Sequence, residues 1–269
     1  MADAASDLAG QAAASYAKRD YSNSGANSAK EAADLYGKAA AASTTASDKA
    51  KNLVGQSESF YFVGDATADN GVKIDMFNKG MAAGDAAAKA LGISDIASVS
   101  NDQVLAAKGK LSDADQNTLA EALYQRGANL GQWGQANGVV QSLGKWGELR
   151  RNMEIIQVMG KTSTHDYGAF RILGRGYFKI PGLLGGDMTK ATDYMSKAVK
   201  NTLVPGKKYS RNGYNNTYYA EILNENGDTD AAKSLLQAFI AADPSQIDAN
   251  SIPELKKAQQ DAKDLLKSF

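Results

Sequence analysis

"YFKIPGLLGGDMTKA" occupies residues 177–191 and interrupts a chain otherwise written for helices. Pro181 has no amide proton and resists a helix interior, and it pushes Ile180 toward extended backbone. The preceding helix therefore ends near Phe178 or Lys179. Gly185 and Gly186 permit positive φ or a close backbone approach, and Asp187 stands where it caps the next helix. The stretch reads as helix, corner, helix, with Leu183 and Leu184 on a five-residue connection, Pro181–Gly185. Two readings of the corner stay open. The leucines plug the space between helical hairpins, or they form the lip of a cavity.

Outward from the corner, helical pattern dominates. Val, Ile and Thr form no alternating runs of useful length, so strands are not expected. Upstream, helices are expected over 8–21, 28–42, 47–62 and 65–91, with "LGISDIASVSND" as an irregular connection and a further helix over 111–126 opened by a Ser112 cap. Downstream, helices are expected over 164–177, capped from "STHD", then 187–200, 216–226 and 229–242, with Gly227 as a C-cap, and a final helix over 254–269. The whole chain, 1–269, reads as a single all-helical domain.

The 269 residues are 43% apolar, enough for one large core or two modest ones. Lys plus Arg and Asp plus Glu balance at 30 each, so no basic excess points to nucleic acid. One His and no Cys exclude a cysteine-based zinc site, a redox dithiol and a multi-histidine metal site within one chain. No apolar run is long enough to span a membrane. The opening "MADAASDLAG" has neither a basic start nor an apolar stretch, so no signal peptide is expected in it.

The middle of the chain raises a second question. Gly127, Gly131, Gly134, Gly138 and Gly144 interrupt apolar helix between Tyr124 and Met159. A glycine inside a helix costs about 1 kcal/mol against alanine, so these need a reason. Gly127 and Gly131, and Gly134 and Gly138, are four apart and share a helix face in pairs. Close helix packing is one reason; lining a cavity beside Trp133 is the other.

Repetition narrows the architecture. "GGDMTKATDYMSKAVKNTL" and "NGDTDAAKSLLQAFIAADP" share Gly-Asp, a polar spacer, and small residues alternating with large ones, and "SAKEAADLYGKAAAAS" near the N-terminus has the same grammar. Tetratricopeptide hairpins are written this way. We read a hairpin of this type at 26–62 and a core of such hairpins over 120–245, followed by the C-terminal helix at 254–269.

Taken in order, the Tyr124–Trp133 stretch, "MEIIQVM", the block "HDYGAFRILGRGYFKIPGLLGGDMTKATDYMSKAV" and "YYAEILNENGDTDAAKSLLQAFIAADP" resemble the TatT family, the periplasmic T components associated with TRAP transporters. The resemblance covers residues 120–245 well and the N-terminal third loosely. It implies degenerate tetratricopeptide hairpins around a central cavity or pore, a periplasmic location, and a transporter component or periplasmic solute-binding protein as partner. Relatives also accompany lipid and sterol export. The family's lipobox cysteine has no counterpart here; the expectation is a lipidated native N-terminus, absent from this sequence, that anchors the protein to the outer membrane.

Enzyme motifs are poor. No GxxxxGK lysine follows the glycines and no GxSxG elbow accompanies His165 and Asp166. Glu148, Glu154, Asp166 and Arg171 read as helix-surface ion pairs. We therefore expect no enzyme, no cofactor, no metal and no nucleic-acid partner. The apolar ligand-lining candidates are Trp133, Trp146, Met153, Ile156, Tyr167, Phe170, Leu173, Tyr177, Phe178, Leu183 and Leu184. Leu143 and Met159 add adaptable surface beside them. The expected function is binding and transfer of a hydrophobic or amphipathic small molecule (a lipid, a sterol or an organic acid) in concert with a transporter. The alternative is a tetratricopeptide-like scaffold that docks a transporter or its solute-binding protein and binds no ligand of its own.

Overall fold

The computed structural model describes residues 4–269. Met1 to Asp3, the start of the stretch read as leader-free, lie outside the described residues. The expected all-α class is what the chain adopts. Among the described residues there is no strand, only an isolated antiparallel bridge between Leu203 and Ser210. The chain divides into two compact units at residues 165 and 166, inside one helix. Each unit is described by itself.

The first unit holds α1 (Ala4–Tyr16), α2 (Asn23–Ala42), α3 (Ala46–Ala66), α4 (Asn70–Ala90), α5 (Asn101–Lys108), α6 (Asp113–Asn137), α7 (Val139–Ser142) and α8 (Trp146–Val158). Short polar caps set the starts. Ser22 accepts from the Gly25 amide at 3.2 Å, Thr45 from Asp48 at 3.0 Å, Asp69 from Val72 at 2.8 Å and Ser112 from Asp115 at 3.1 Å. These caps move the expected boundaries. Ser22 ends the reach of α1 before Tyr21 and starts α2 early, and Asp69 delays α4 past Asp65. α5 was not expected. Ser100 and Gln103 form a reciprocal capping box, at 2.8 and 3.3 Å, that closes its N-terminus. The connection before it is pinned by Ile93, Ile96 and Val99, all buried.

Neighbours in sequence pack on one another: α1 on α2, α2 on α3, α3 on α4. α6 then packs on both α3 and α4, and α8 packs on α6. The buried face of α2 is almost all alanine, at 29, 32, 33, 39 and 40, which lets the adjoining helices approach closely. Phe62, Phe77, Leu119, Leu123, Met153, Ile155 and Ile156 are fully buried. Tyr16 and Tyr21 close over Phe62 with ring centroids 6.3 and 5.0 Å away.

The second unit holds α9 (Thr164–Lys179, counted from Asp166 on), α10 (Met188–Lys200), α11 (Gly213–Glu225), α12 (Thr229–Ile240), α13 (Pro244–Ile247) and α14 (Ile252–Lys267). α11 packs on α10, α12 and α14, and α12 packs on α14. Ala220 of α11, Ala232, Leu236 and Phe239 of α12 and Leu255, Ala258 and Ala262 of α14 form the unit's core. Gly227, at φ 89°, ends α11 as expected. The expected "STHD" cap is replaced by a left-handed turn. His165, Asp166 and Tyr167 have φ of 50°, 56° and 57°, and the Asp166 carboxylate accepts from Arg211 Nε at 2.7 Å.

The 202–212 connection is held by side chains. Asn216 accepts from the Ser210 amide at 2.7 Å and donates to its carbonyl at 2.9 Å. Asn215 donates to Thr202 Oγ1 at 3.0 Å and accepts from Arg171 Nη1 at 3.2 Å. Thr202, Ser210, Asn215 and Asn216 are all buried, so their mutual bonds replace those that water would have made.

Candidate functional site

The corner is built as the proline and glycines dictate. α9 ends at Lys179. Pro181 follows at φ −58° and ψ 142°, and a single 3₁₀ turn runs from Gly182 to Leu184. Gly185 takes φ 98°. Gly186 passes so close to the Ile180 carbonyl that a Cβ would overlap the oxygen. The Leu184 and Gly186 amides donate to the Pro181 carbonyl at 2.8 and 3.1 Å, and the Asp187 amide donates to the Tyr177 carbonyl at 3.0 Å. The Asp187 carboxylate accepts from the Lys190 amide at 3.0 Å. That bond, with the Lys190 charge, holds the Asp187 carboxyl below the usual carboxylate range.

Leu183 and Leu184 project from this corner. Leu183 is fully exposed and Leu184 is 51% exposed, so neither plugs a space within the second unit. Around the corner's base, Tyr177 of α9 stacks on Tyr194 of α10, with centroids 5.9 Å apart and planes 3° from parallel. Phe170 joins Tyr194 at 5.9 Å, and Tyr167 joins Phe170 at 6.0 Å. Beside them Arg175 lies over Tyr218 at 4.2 Å and pairs with Glu221. Burial holds the Arg175 guanidinium below its ordinary value, and burial plus the neighbouring Arg175 does the same to the Lys179 ammonium. Sequence reading missed Tyr194, Tyr218 and Arg175. The signal was present in the spacing of Tyr194 within "DYMSKAV", but its partner helix was not identifiable.

The remaining candidates divide by burial. Met153, Ile156 and Leu173 are fully buried, and Trp146 and Tyr177 nearly so. Trp133, Tyr167, Phe170 and Phe178 are half-buried. In the second unit the structure brings Tyr167, Phe170 and Tyr177 together through Tyr194; in the first, Met153 and Ile156 belong to the core of α8.

Gly127 and, less tightly, Gly134 have a packing reason, while at Gly131 a Cβ would make only ordinary contact. A Cβ on Gly127 would overlap the Met153 methyl, one on Gly131 would touch Leu149 at 3.8 Å, and one on Gly134 would meet Ser142 at 3.3 Å. Gly138 ends α6 at φ 95°, and only Gly144 stands in open space. The helix expected to end at Arg126 thus continues to Asn137, its glycines facing α8 and the turn before it. In the second unit Gly174 admits Met195 in the same way.

Two of the four expected surface-pair residues, Glu148 and Arg171, turn inward instead. Glu148 pairs with buried Arg126, which also bonds Asp85 at 2.6 Å. Oriented to satisfy both neighbours, the Asn152 amide accepts from Arg126 Nη1 at 2.9 Å and donates to the Ile96 carbonyl at 3.2 Å. Burial pulls the Glu148 carboxyl up, but hydrogen bonds from Arg126 and Lys145 outweigh it and hold it below the usual range. Arg171 is buried against Asn215, whereas Asp166 makes an exposed ion pair with Arg211 of the 202–212 connection. Glu154 makes a helix-surface pair with Arg150 at 3.6 Å, and Glu148 also reaches half-exposed Lys145 at 3.0 Å. His165 stacks on Tyr124 at 4.3 Å with Nδ1 3.7 Å from Glu121, while Asp166 faces Arg211, so the two do not form a dyad.

Two clefts lie elsewhere. One in the first unit, of about 400 Å³, is lined by Leu91–Asp95, Ser98, Val99, Gln103, Ala106, Ala107, Lys110 and Leu111 around α5. The other, an open groove of about 440 Å³ along α10 and α11, is lined by Met188, Thr192, Asp193, Ser196, Tyr219 and Asn226. None of the ligand candidates lines either. Among the described residues no group of three His, Asp or Glu side chains is placed to share a metal ion, and no helix is long and apolar enough to cross a membrane. The chain matches no family model and no curated protein.

Proposed function

We propose that this protein is a docking scaffold of tetratricopeptide-like helical hairpins, engaging a transporter component or a solute-binding protein in the periplasmic setting that the TatT resemblance implies. One observation carries the reading. The glycines and methionines that would have shaped a ligand cavity are used in helix contacts, Gly127 with Met153 and Gly174 with Met195. Helical hairpins that spend such residues on packing have their outer grooves left for a partner. The α10–α11 groove, mixed in polarity and open along its length, is the face we assign to the partner. Its Thr192, Asp193, Ser196 and Asn226 suit an extended polar segment better than a lipid tail.

The small-molecule reading rests on the half-buried aromatics Trp133, Tyr167, Phe170 and Phe178. Native mass spectrometry of the purified protein, followed by lipid extraction, separates the two. The scaffold reading expects the mass of the bare chain; a stoichiometric lipid or organic acid overturns it. A photo-crosslinking residue at Ser196 is expected to capture a transporter component or solute-binding protein in cells, and one at exposed Ser234 on α12 is not.

A further inference from the structure

The corner at 181–186 differs from every other exposed apolar position. Among the exposed large apolar side chains of the described residues, only Leu183 and Leu184 are neighbours in sequence. No charged residue lies between Pro181 and Gly186. Most of its backbone donors are bonded as well. Pro181 has no donor, and the amides of Leu184, Gly185, Gly186 and Asp187 are all bonded within the corner or to α9. Each donor bonded in this way is one fewer to be desolvated on entering a lipid interface.

Each leg of the corner carries a lysine over an aromatic ring. Lys179 Nζ lies 4.8 Å from the Phe178 ring centre, and Lys190 Nζ lies 5.2 Å from that of Tyr177. Both lysine side chains are about half exposed. The acids nearby are committed: Asp187 to the cap of α10 and to Lys190 at 3.5 Å, Glu221 to Arg175 and to Lys179 at 3.6 Å. An apolar tip above a ring of aromatics and lysines has the chemistry of a bilayer interface, apolar toward the chains and cationic at the headgroups. We propose that this corner inserts into the interface of an anionic lipid bilayer. Leu183 and Leu184 enter the acyl boundary, and Lys179 and Lys190 lie at headgroup level. The binding is weak and reversible, since two leucines bury little area.

The test uses the full chain with vesicles of phosphatidylcholine and phosphatidylglycerol. Co-sedimentation of the wild-type protein is expected, weakened about tenfold or more in the L183S/L184S variant, whose melting temperature stays near wild type because both side chains are already exposed. A Leu183→Trp variant, compared with wild type by difference, should shift its emission to the blue on vesicles and be quenched by brominated acyl chains. Absence of wild-type binding, equal binding by the double variant, or an unquenched tryptophan at 183 overturns the proposal. So does a corner that binds a protein but no vesicle. None of these outcomes bears on the α10–α11 groove.

Discussion

Met153 of α8 occupies the space that a side chain at Gly127 of α6 would fill. The two residues are one contact, and each is explained only by the other. Gly127→Ala should therefore be neutral or destabilising in the wild-type background, because the helix-propensity gain of about 1 kcal/mol is offset by displacing the methionine. With Met153→Ala already in place, the same change should stabilise by about 1 kcal/mol. Chemical denaturation of the four proteins of this cycle measures the coupling; additive effects would refute the contact.

Three glycines of the corner should respond differently to alanine. At Gly186 the new Cβ meets the rigid carbonyl of Ile180, and a loss of about 1–3 kcal/mol is expected. At Gly185, with φ 98°, a loss of about 1 kcal/mol follows from backbone strain alone. Gly182 has open space and no such backbone, so its substitution should change the melting temperature little. Equal effects at all three would mean that the corner is not built as described.

Glu148 gives the pH dependence. Its folded value lies below the ordinary 4.5, so its contribution is fully present above that value. It is lost as pH falls through the folded value. Stability of the first unit should decline as pH drops below about 4.5, and Glu148→Gln should flatten that decline. At neutral pH the variant should cost about 2 kcal/mol, as one charged partner of buried Arg126 is lost while Asp85 remains. A decline of unchanged steepness in the variant would assign it to other carboxylates.

Asn216→Ala removes both bonds to the Ser210 backbone and leaves buried groups without partners. A loss of about 1–3 kcal/mol is expected, with faster hydrogen exchange at Ser210 as the local reporter. Unchanged exchange there would show that the connection holds itself.

The corner was legible because its information is local. Proline, glycine and aspartate act through their own backbones, and α9, Gly185 and Asp187 end, turn and cap where those residue types require. The Gly-rich stretch was legible only as a question. Both answers, packing and cavity, predict glycine on a helix face, and the partner that decides between them, Met153, lies in another helix. Arg171 and Glu148 were misread as surface charges for a related reason. Nothing in the spacing of a charged residue shows that its counterpart is a buried Asn215 or Arg126 from a distant part of the chain. α5 was missed although the Ser100–Gln103 box stood in the sequence, because a short helix with one buried residue, Val104, has almost no apolar period. The candidate groove along α10 and α11 left no mark, since threonine, serine and asparagine on a helix read as ordinary solvent-facing residues.

The side-chain bonds around Ser210 also have a meaning in time. Asn215 donates to Thr202 Oγ1 just beyond α10, and Asn216 bonds the Ser210 backbone six residues earlier. On the ribosome these acceptors emerge before the groups that satisfy them. The segment from Thr202 to Ser210 thus waits unfinished, its polar groups served by water, until the start of α11 arrives. Nascent chains released just short of Asn215 should be cut by protease within that segment, and chains a few residues past the end of α11 should not.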